Sequence, residues 1–91
     1  MAQPAKSIFI TGGASGLGRE VARYFANVGW FIGLADVDEK GLAETADLLP
    51  PGMSSTHRLD VTDRAQWKQA VADFAKHTDG HMTVLFNNAG I

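Results

Sequence analysis

The sequence predicts an α/β fold, a doubly wound, open parallel sheet to which this chain supplies four strands and three helices. Three observations carry that expectation. Short apolar runs alternate with stretches of helical periodicity, the connections between them are brief, and the residues with unusual chemistry fall just after the apolar runs. With right-handed crossovers those positions share one rim, beyond the carboxyl ends of the strands, where ligands bind in open α/β sheets.

Residues Met1 to Lys6 form a polar lead-in with Pro4 against regular structure, and Ser7 to Thr11, containing Ile8-Phe9-Ile10, is the first strand. The turn Gly12 to Gly18 opens into a helix. From Leu17 onward Val21, Phe25 and Val28, supported by Ala22 and Tyr24, recur at helical spacing until Asn27 to Gly29 stops it. Trp30 to Ala35 is nearly all apolar and ends at Asp36, as suits a parallel strand buried on both faces. Asp36 or Asp38 caps a second helix with Leu42, Ala46 and Leu49 on one face, and Pro50-Pro51-Gly52 ends it.

Ser55 to Val61 is the third strand, His57, Leu59 and Val61 on one face and Arg58 and Asp60 on the other. Thr62 or Asp63 caps a third helix whose stripe Trp67, Val71 and Phe74, with Ala70, is core. Thr78 to Gly80 breaks it. Met82 to Phe86 is the fourth strand, running into Asn87-Asn88-Ala89-Gly90-Ile91.

Composition narrows the function classes. Ninety-one residues with 45% hydrophobic content make one small domain with a core. Lys+Arg 8 against Asp+Glu 10 gives a charge of -2 without a basic run, which argues against a nucleic-acid partner. Cys 0 excludes disulfides and thiolate metal sites. His57, His77 and His81 lack metal-ligand spacing and are expected to face solvent or to pack, so no metal site is expected. No apolar run is long enough to span a membrane, and a cytoplasmic location is the default expectation.

The glycine turn carries the most specific signal. Glycine lets a ligand approach the backbone, and the first N–H groups of the helix behind it are unpaired and attract anions. The nucleoside-triphosphate loop G-x-x-x-x-G-K-[ST] can be laid on Gly13 to Gly18, but Arg19 and Glu20 then stand in its Lys and Ser/Thr places. The fingerprint G-x-G-x-x-G also fails, because Val21 follows Gly16-Leu17-Gly18 where the third glycine belongs. What is present is T-G-x-x-x-G-x-G.

That variant at Thr11, Gly12, Gly16 and Gly18, with Asp36 ending the second strand, Asp60-Val61 after the third and Asn87-Asn88-Ala89-Gly90 after the fourth, resembles the short-chain dehydrogenase/reductase family. The resemblance covers nearly the whole chain and implies a Rossmann-type sheet with a nicotinamide dinucleotide cofactor. It implies that Gly12, Gly16 and Gly18, with Ser15 and Leu17, line the pyrophosphate and its adjoining ribose. Asp60 and Val61 would flank the adenine, and Asn87, Ala89 and Gly90 would pass beneath the adenosine ribose. For Asn88 the expectation is that its amide side chain ties neighbouring backbone together; Asp60 has a second reading, as a cap for the third helix. A side chain at Gly18 is expected to occupy space the pyrophosphate needs.

Asp36 points to NAD. A carboxylate there can accept from both hydroxyls of the adenosine ribose and would repel a 2'-phosphate. Phosphate-selecting members of the family usually carry a cation just before the second glycine or just after the acidic position, where this chain has Ser15 and Val37. Arg19 is the remaining cation nearby and is expected to be a solvated surface residue, contact with a phosphate being the other reading.

The family's catalytic Tyr-x-x-x-Lys, Ser and Asn lie downstream of N-N-A-G, and no catalytic residue is assigned here. Tyr24 is the only tyrosine, position 28 is Val, and Tyr24 is expected to pack in the first helix. Residues 1–91 are therefore expected to be the cofactor-binding part of a longer oxidoreductase that interconverts a small alcohol and a carbonyl compound and forms a homo-oligomer when complete. The alternative is a non-catalytic dinucleotide-binding module or a truncated product. Val84-Leu85-Phe86, expected to be buried on both faces, would then need cover along one edge.

Overall fold

Side chains alternate across a strand, so Ile8 and Ile10 enter one apolar cluster and Phe9 another, and helices must cover both sides of the sheet. In the computed structural model, which describes residues 6–89, the order is β1 (Ser7–Thr11), α1 (Gly16–Asn27), β2 (Phe31–Asp36), α2 (Glu39–Asp47), β3 (Ser54–Arg58), α3 (Arg64–Thr78) and β4 (Val84–Asn87). The expected lead-in at residues 1–5, and Gly90, lie outside the described residues. All pairings are parallel and the strand order is β3-β2-β1-β4, so the chain folds as the expected Rossmann-type sheet. The first cluster joins Ile8, Ile10, Ile32 and Leu34 to Ala22 and Ala26 of α1 and Leu42 of α2. On the opposite side Phe9, Ala35 and Leu59 meet Ala70 and Phe74 of α3.

Side-chain caps set two of the helix starts. Asp38, not Asp36, caps α2, its Oδ1 accepting from the Gly41 N–H at 2.9 Å. Asp63, not Thr62, caps α3 by accepting from the Ala65 and Gln66 N–H groups at 2.9 and 3.2 Å. Such caps are each worth about 1 kcal/mol. α1 differs: Ser15 is extended at the N-cap position but makes no side-chain cap.

Several sequence expectations need correction. β3 ends at Arg58 rather than Val61, because its partner β2 ends at Asp36; the Leu59 N–H makes one last bond to the Asp36 carbonyl, and Asp60 and Val61 leave the sheet. β4 starts at Val84, while Met82 packs against the Phe9 cluster from outside the strand. Burial of β4 on both faces does not hold, since Leu85 is 50% and Val84 38% exposed; on one side α1 covers β1 and β2 and α2 covers β2 and β3, and on the other α3 is seated over β2 and β3. Tyr24 is 63% exposed rather than packed, and Val28 and Val71 are also exposed, because small residues make the close approaches, Gly18, Ala22 and Ala26 on α1 and Ala70 on α3.

His57 is packed, as one of the two readings required. Its ring lies 5.6 Å from Phe9 and 6.2 Å from Phe74, and Nε2 is 2.7 Å from Ser55 Oγ. Burial pushes the imidazole below its ordinary value of 6.5, Asp73 opposes the shift, and His77 adds to it. The unfolded chain therefore takes up the proton more readily than the folded one. This contribution to stability is complete above pH about 6.5 and is lost as pH falls toward the folded value. Denaturant midpoints measured on either side of pH about 6 are expected to drop more with acid in the wild type than in His57→Gln. Equal acid sensitivity would contradict it. Among the described residues no group of side chains could hold a metal ion, and no helix is long and apolar enough to cross a membrane.

Candidate functional site

The strand register brings the motif residues to one rim. Thr11 pairs with Ala35 on one side and Asn87 on the other, and Asp36 pairs with Arg58, so all four strands end together. At the centre is the glycine turn, where the Gly13 N–H donates to the Ala35 carbonyl at 3.0 Å.

Each motif glycine meets a different demand. Gly12 has φ +73, and a Cβ on it would lie 2.6 Å from Asn88 Nδ2 and 3.3 Å from the Ala89 nitrogen, so only glycine lets β4's following segment pass this close. Gly16 has φ +58 but faces open space, with no atom within 4 Å of a Cβ. Gly18 is buried beneath the turn, and a Cβ there would run into the Gly12 carbonyl. The expectation that a Gly18 side chain would fill ligand space is thereby corrected: the helix backbone and the turn are what it would force apart.

Thr11 holds the other side of the turn. Its buried hydroxyl donates to Asn87 Oδ1 at 2.9 Å and accepts from the Asn88 and Ala89 N–H groups at 2.9 and 3.1 Å. One donor and two lone pairs are all used. Asn88 is joined to Thr11 through its backbone N–H, not through the side-chain amide expected to tie neighbouring backbone together. Sequence reading matched Thr11 to the motif without giving it a role; the available signal was a hydroxyl one residue before the first glycine and opposite the N-N-A segment.

Asp36 is held by two backbone donors. Oδ2 accepts from Ala14 at 3.2 Å and Oδ1 from Asp38 at 3.1 Å, which fixes the carboxylate and leaves roughly two of its four lone-pair sites unused. Asp60 is fixed differently: its Oδ1 accepts from the Thr62 hydroxyl at 2.6 Å and the Thr62 N–H at 2.9 Å. These bonds hold its carboxyl below the usual range, with Arg58 a smaller influence. The capping reading of Asp60 is superseded, since Asp63 takes that place.

Beside these carboxylates lies a cavity of about 330 Å³, at the lower end of the range for small-molecule sites. Five of the expected residues line it, Gly12, Asp36, Asp60, Val61 and Ala89, together with Val37 and Leu59. The others do not. Ser15, Gly16 and Leu17 are exposed where α1 begins, Gly18 is under the turn, and Asn87 is engaged by Thr11. A hollow of similar size, about 360 Å³, lies between β3 and α3 among Thr56, Arg58, Gln69 and Asp73. It lacks the glycine turn and the uncapped helix start found at the rim, a kind of helix N-terminus that favours anions.

Arg19 is not a solvated surface residue. Its Nε donates to Thr45 Oγ1 at 2.8 Å, and Nη2 donates to the Ala14 carbonyl at 2.5 Å and the Gly41 carbonyl at 3.3 Å. Glu44 stands 3.6 Å away. The guanidinium thus ties the glycine turn to α2, which a helical pattern alone does not reveal, because its acceptors are backbone atoms of other elements.

Comparison with known proteins gives concordant results. The model of the short chain dehydrogenase family matches residues 6–91. Short-chain dehydrogenase reductase 3c of Arabidopsis thaliana is 38% identical over 86 residues, which are 94% of this chain and 33% of that protein. A short-chain dehydrogenase/reductase from Brucella melitensis, described as a glucose/ribitol dehydrogenase, superposes with a TM-score of 0.81 at 27% identity, covering 88% of this chain and 33% of the other. Actinorhodin polyketide ketoreductase, solved with NADPH, superposes with a TM-score of 0.84 at 28% identity over 92% of this chain and 33% of its own. The chain spans about a third of the length of the curated relatives it matches.

Proposed function

This chain belongs to the short chain dehydrogenase family, and we propose that residues 1–91 are the NAD-binding part of an oxidoreductase that transfers hydride between an alcohol and a carbonyl. The observation that carries the reading is the Asp36 carboxylate, held by two backbone N–H groups at the edge of a cavity beside the glycine turn. Its remaining lone pairs suit the two hydroxyls of an adenosine ribose. The start of α1, without a side-chain cap and preceded by Gly12 to Ser15, suits a pyrophosphate. Val37, Leu59 and Val61 offer apolar walls to an adenine, and Asp60 an acceptor for its amino group.

The family does not by itself choose the cofactor, as the ketoreductase with NADPH illustrates. Asp36 does so through charge. A carboxylate and a phosphate charge about 4 Å apart repel by roughly 4 kcal/mol at an effective dielectric of about 20, an upper figure for an open rim. Arg19, the cation nearest the turn in sequence, is engaged by Thr45 and two carbonyls.

The nicotinamide, when bound, supplies the hydride chemistry; the residues of this chain bind and orient the adenosine half. Tyr24, the only tyrosine, is exposed on α1 and has Val28 four places on, so none of these 91 residues is assigned to polarise a carbonyl. Paired titrations of the whole protein with NAD and NADP test the reading. NAD is expected to bind at least about tenfold more tightly. Equal affinities or a preference for NADP would overturn the choice of cofactor, and binding of neither would overturn the site.

A further inference from the structure

Asp36 and Arg19 sit at opposite poles of a closed ring of hydrogen bonds. On one side Asp36 Oδ2 accepts from the Ala14 N–H, and the Ala14 carbonyl accepts from Arg19 Nη2. On the other, Asp36 Oδ1 accepts from the Asp38 N–H, Asp38 Oδ1 accepts from the Gly41 N–H, and the Gly41 carbonyl accepts from the same Nη2. Thr45, wholly buried, anchors the guanidinium from α2 through Nε. Gly41 allows this closure, because a Cβ there would lie 2.7 Å from the Ala14 Cβ and 2.9 Å from the Ala14 carbonyl oxygen.

We propose that Arg19 is a positioning residue for cofactor selection: by closing this ring it holds the Ala14 and Asp38 peptides, and through them the orientation of the Asp36 carboxylate. The proposal rests on the NAD reading of the site. Both donors to Asp36 lie between regular elements, in the glycine turn and in the two-residue link between β2 and α2, and Arg19 joins the turn to Gly41, the residue bonded by the Asp38 side chain. Its planar fork serves Nε and Nη2 acceptors at once, which a lysine ammonium cannot reproduce from the same backbone position. The ion pair with Glu44, itself more than half exposed, adds little. With the ring open, the carboxylate can turn away from the ribose and also from a 2'-phosphate, so NAD loses its hydrogen bonds while NADP is relieved of repulsion.

The test measures NAD and NADP dissociation constants and thermal midpoints in the whole protein for the wild type, Arg19→Lys, Arg19→Met and Thr45→Val. The two Arg19 variants are expected to weaken NAD about tenfold and to shrink the NADP-to-NAD ratio of dissociation constants by a similar factor. Thr45→Val, which removes a single acceptor and keeps the volume, should move that ratio the same way by about two- to threefold, and it serves should an Arg19 variant fail to fold. Lower thermal midpoints with an unchanged ratio in every folded variant would overturn the proposal, because a purely structural brace weakens folding without altering discrimination. A wild type that prefers NAD while its variants keep the ratio removes only the role of Arg19; a wild type that binds neither dinucleotide removes the NAD reading and this proposal together.

Discussion

Asp36→Asn is expected to weaken NAD binding by about 10- to 100-fold while leaving NADP nearly unchanged, so that most of the discrimination disappears. The carboxylate accepts from the Ala14 and Asp38 N–H groups on opposite oxygens. An amide presents one NH₂ group, which must face one of those donors or the ribose, and each arrangement loses acceptors that the carboxylate supplies. The substitution also removes the negative charge that opposes a 2'-phosphate, and this second effect raises NADP affinity relative to NAD. Paired titrations with both dinucleotides read the two effects separately. If Asp36→Asn kept the wild-type ratio, selection would have to come from some other residue.

Gly18→Val is expected to lower dinucleotide affinity by at least about 100-fold and to reduce the thermal midpoint, and Gly18→Ala should already show most of the loss of stability. The offending atom is Cβ itself. It would overlap the Gly12 carbonyl oxygen and come within 2.8 Å of the Gly12 carbonyl carbon and 3.2 Å of Gly13 Cα. All of these are main-chain atoms, so relief requires α1 to lift from the turn or the turn to move, at a cost of about 1–3 kcal/mol or more. Gly16→Ala supplies the control. No atom lies within 4 Å of its Cβ, so only the strain of φ +58 remains, and its thermal midpoint should fall less. A larger loss of stability from Gly16→Ala than from Gly18→Ala would show that the packing of α1 on the turn is not what the motif protects.

Much of the fold could be read locally. Ser7 to Thr11 carries an alternation that needs two covered faces, and Ile8, Ile10 and Phe9 divide between the two clusters accordingly. Asp38 and Asp63 are each one of two nearby candidates, Asp36 or Asp38 and Thr62 or Asp63, and the choice within each pair depends on backbone angles that composition does not encode. β3 is shorter than its residue pattern predicts for a different reason. Val61 continues the alternation of His57 and Leu59 and does pack against the cluster around Phe9, but a strand lasts only while a partner runs beside it, and β2 stops at Asp36.

The candidate site was legible where it depended on glycine and carboxylate spacing, and obscure where it depended on contacts between distant segments. Asp36, Asp60, Val61, Gly12 and Ala89 meet at one cavity because the parallel register aligns strand ends. Arg19 looked like a surface cation since it follows a glycine on an amphipathic helix; its acceptors, Ala14, Gly41 and Thr45, come from a turn and from a helix over 20 residues away. Tyr24 and Val28 looked like core for the opposite reason. Apolar character marks what can be buried, whereas the close helix–sheet approach is made by Ala22 and Ala26.

The central claim is that the rim of β1, β2 and the segments after β3 and β4 is a dinucleotide site, and a residue-resolved NAD titration of the whole protein by amide hydrogen exchange tests it most directly. Protection is expected at Gly12 to Gly18, at Asp36 and Val37, at Asp60 and Val61, and at Asn87 to Ala89. Protection confined to Thr56, Arg58, Gln69 and Asp73, around the hollow between β3 and α3, would contradict it.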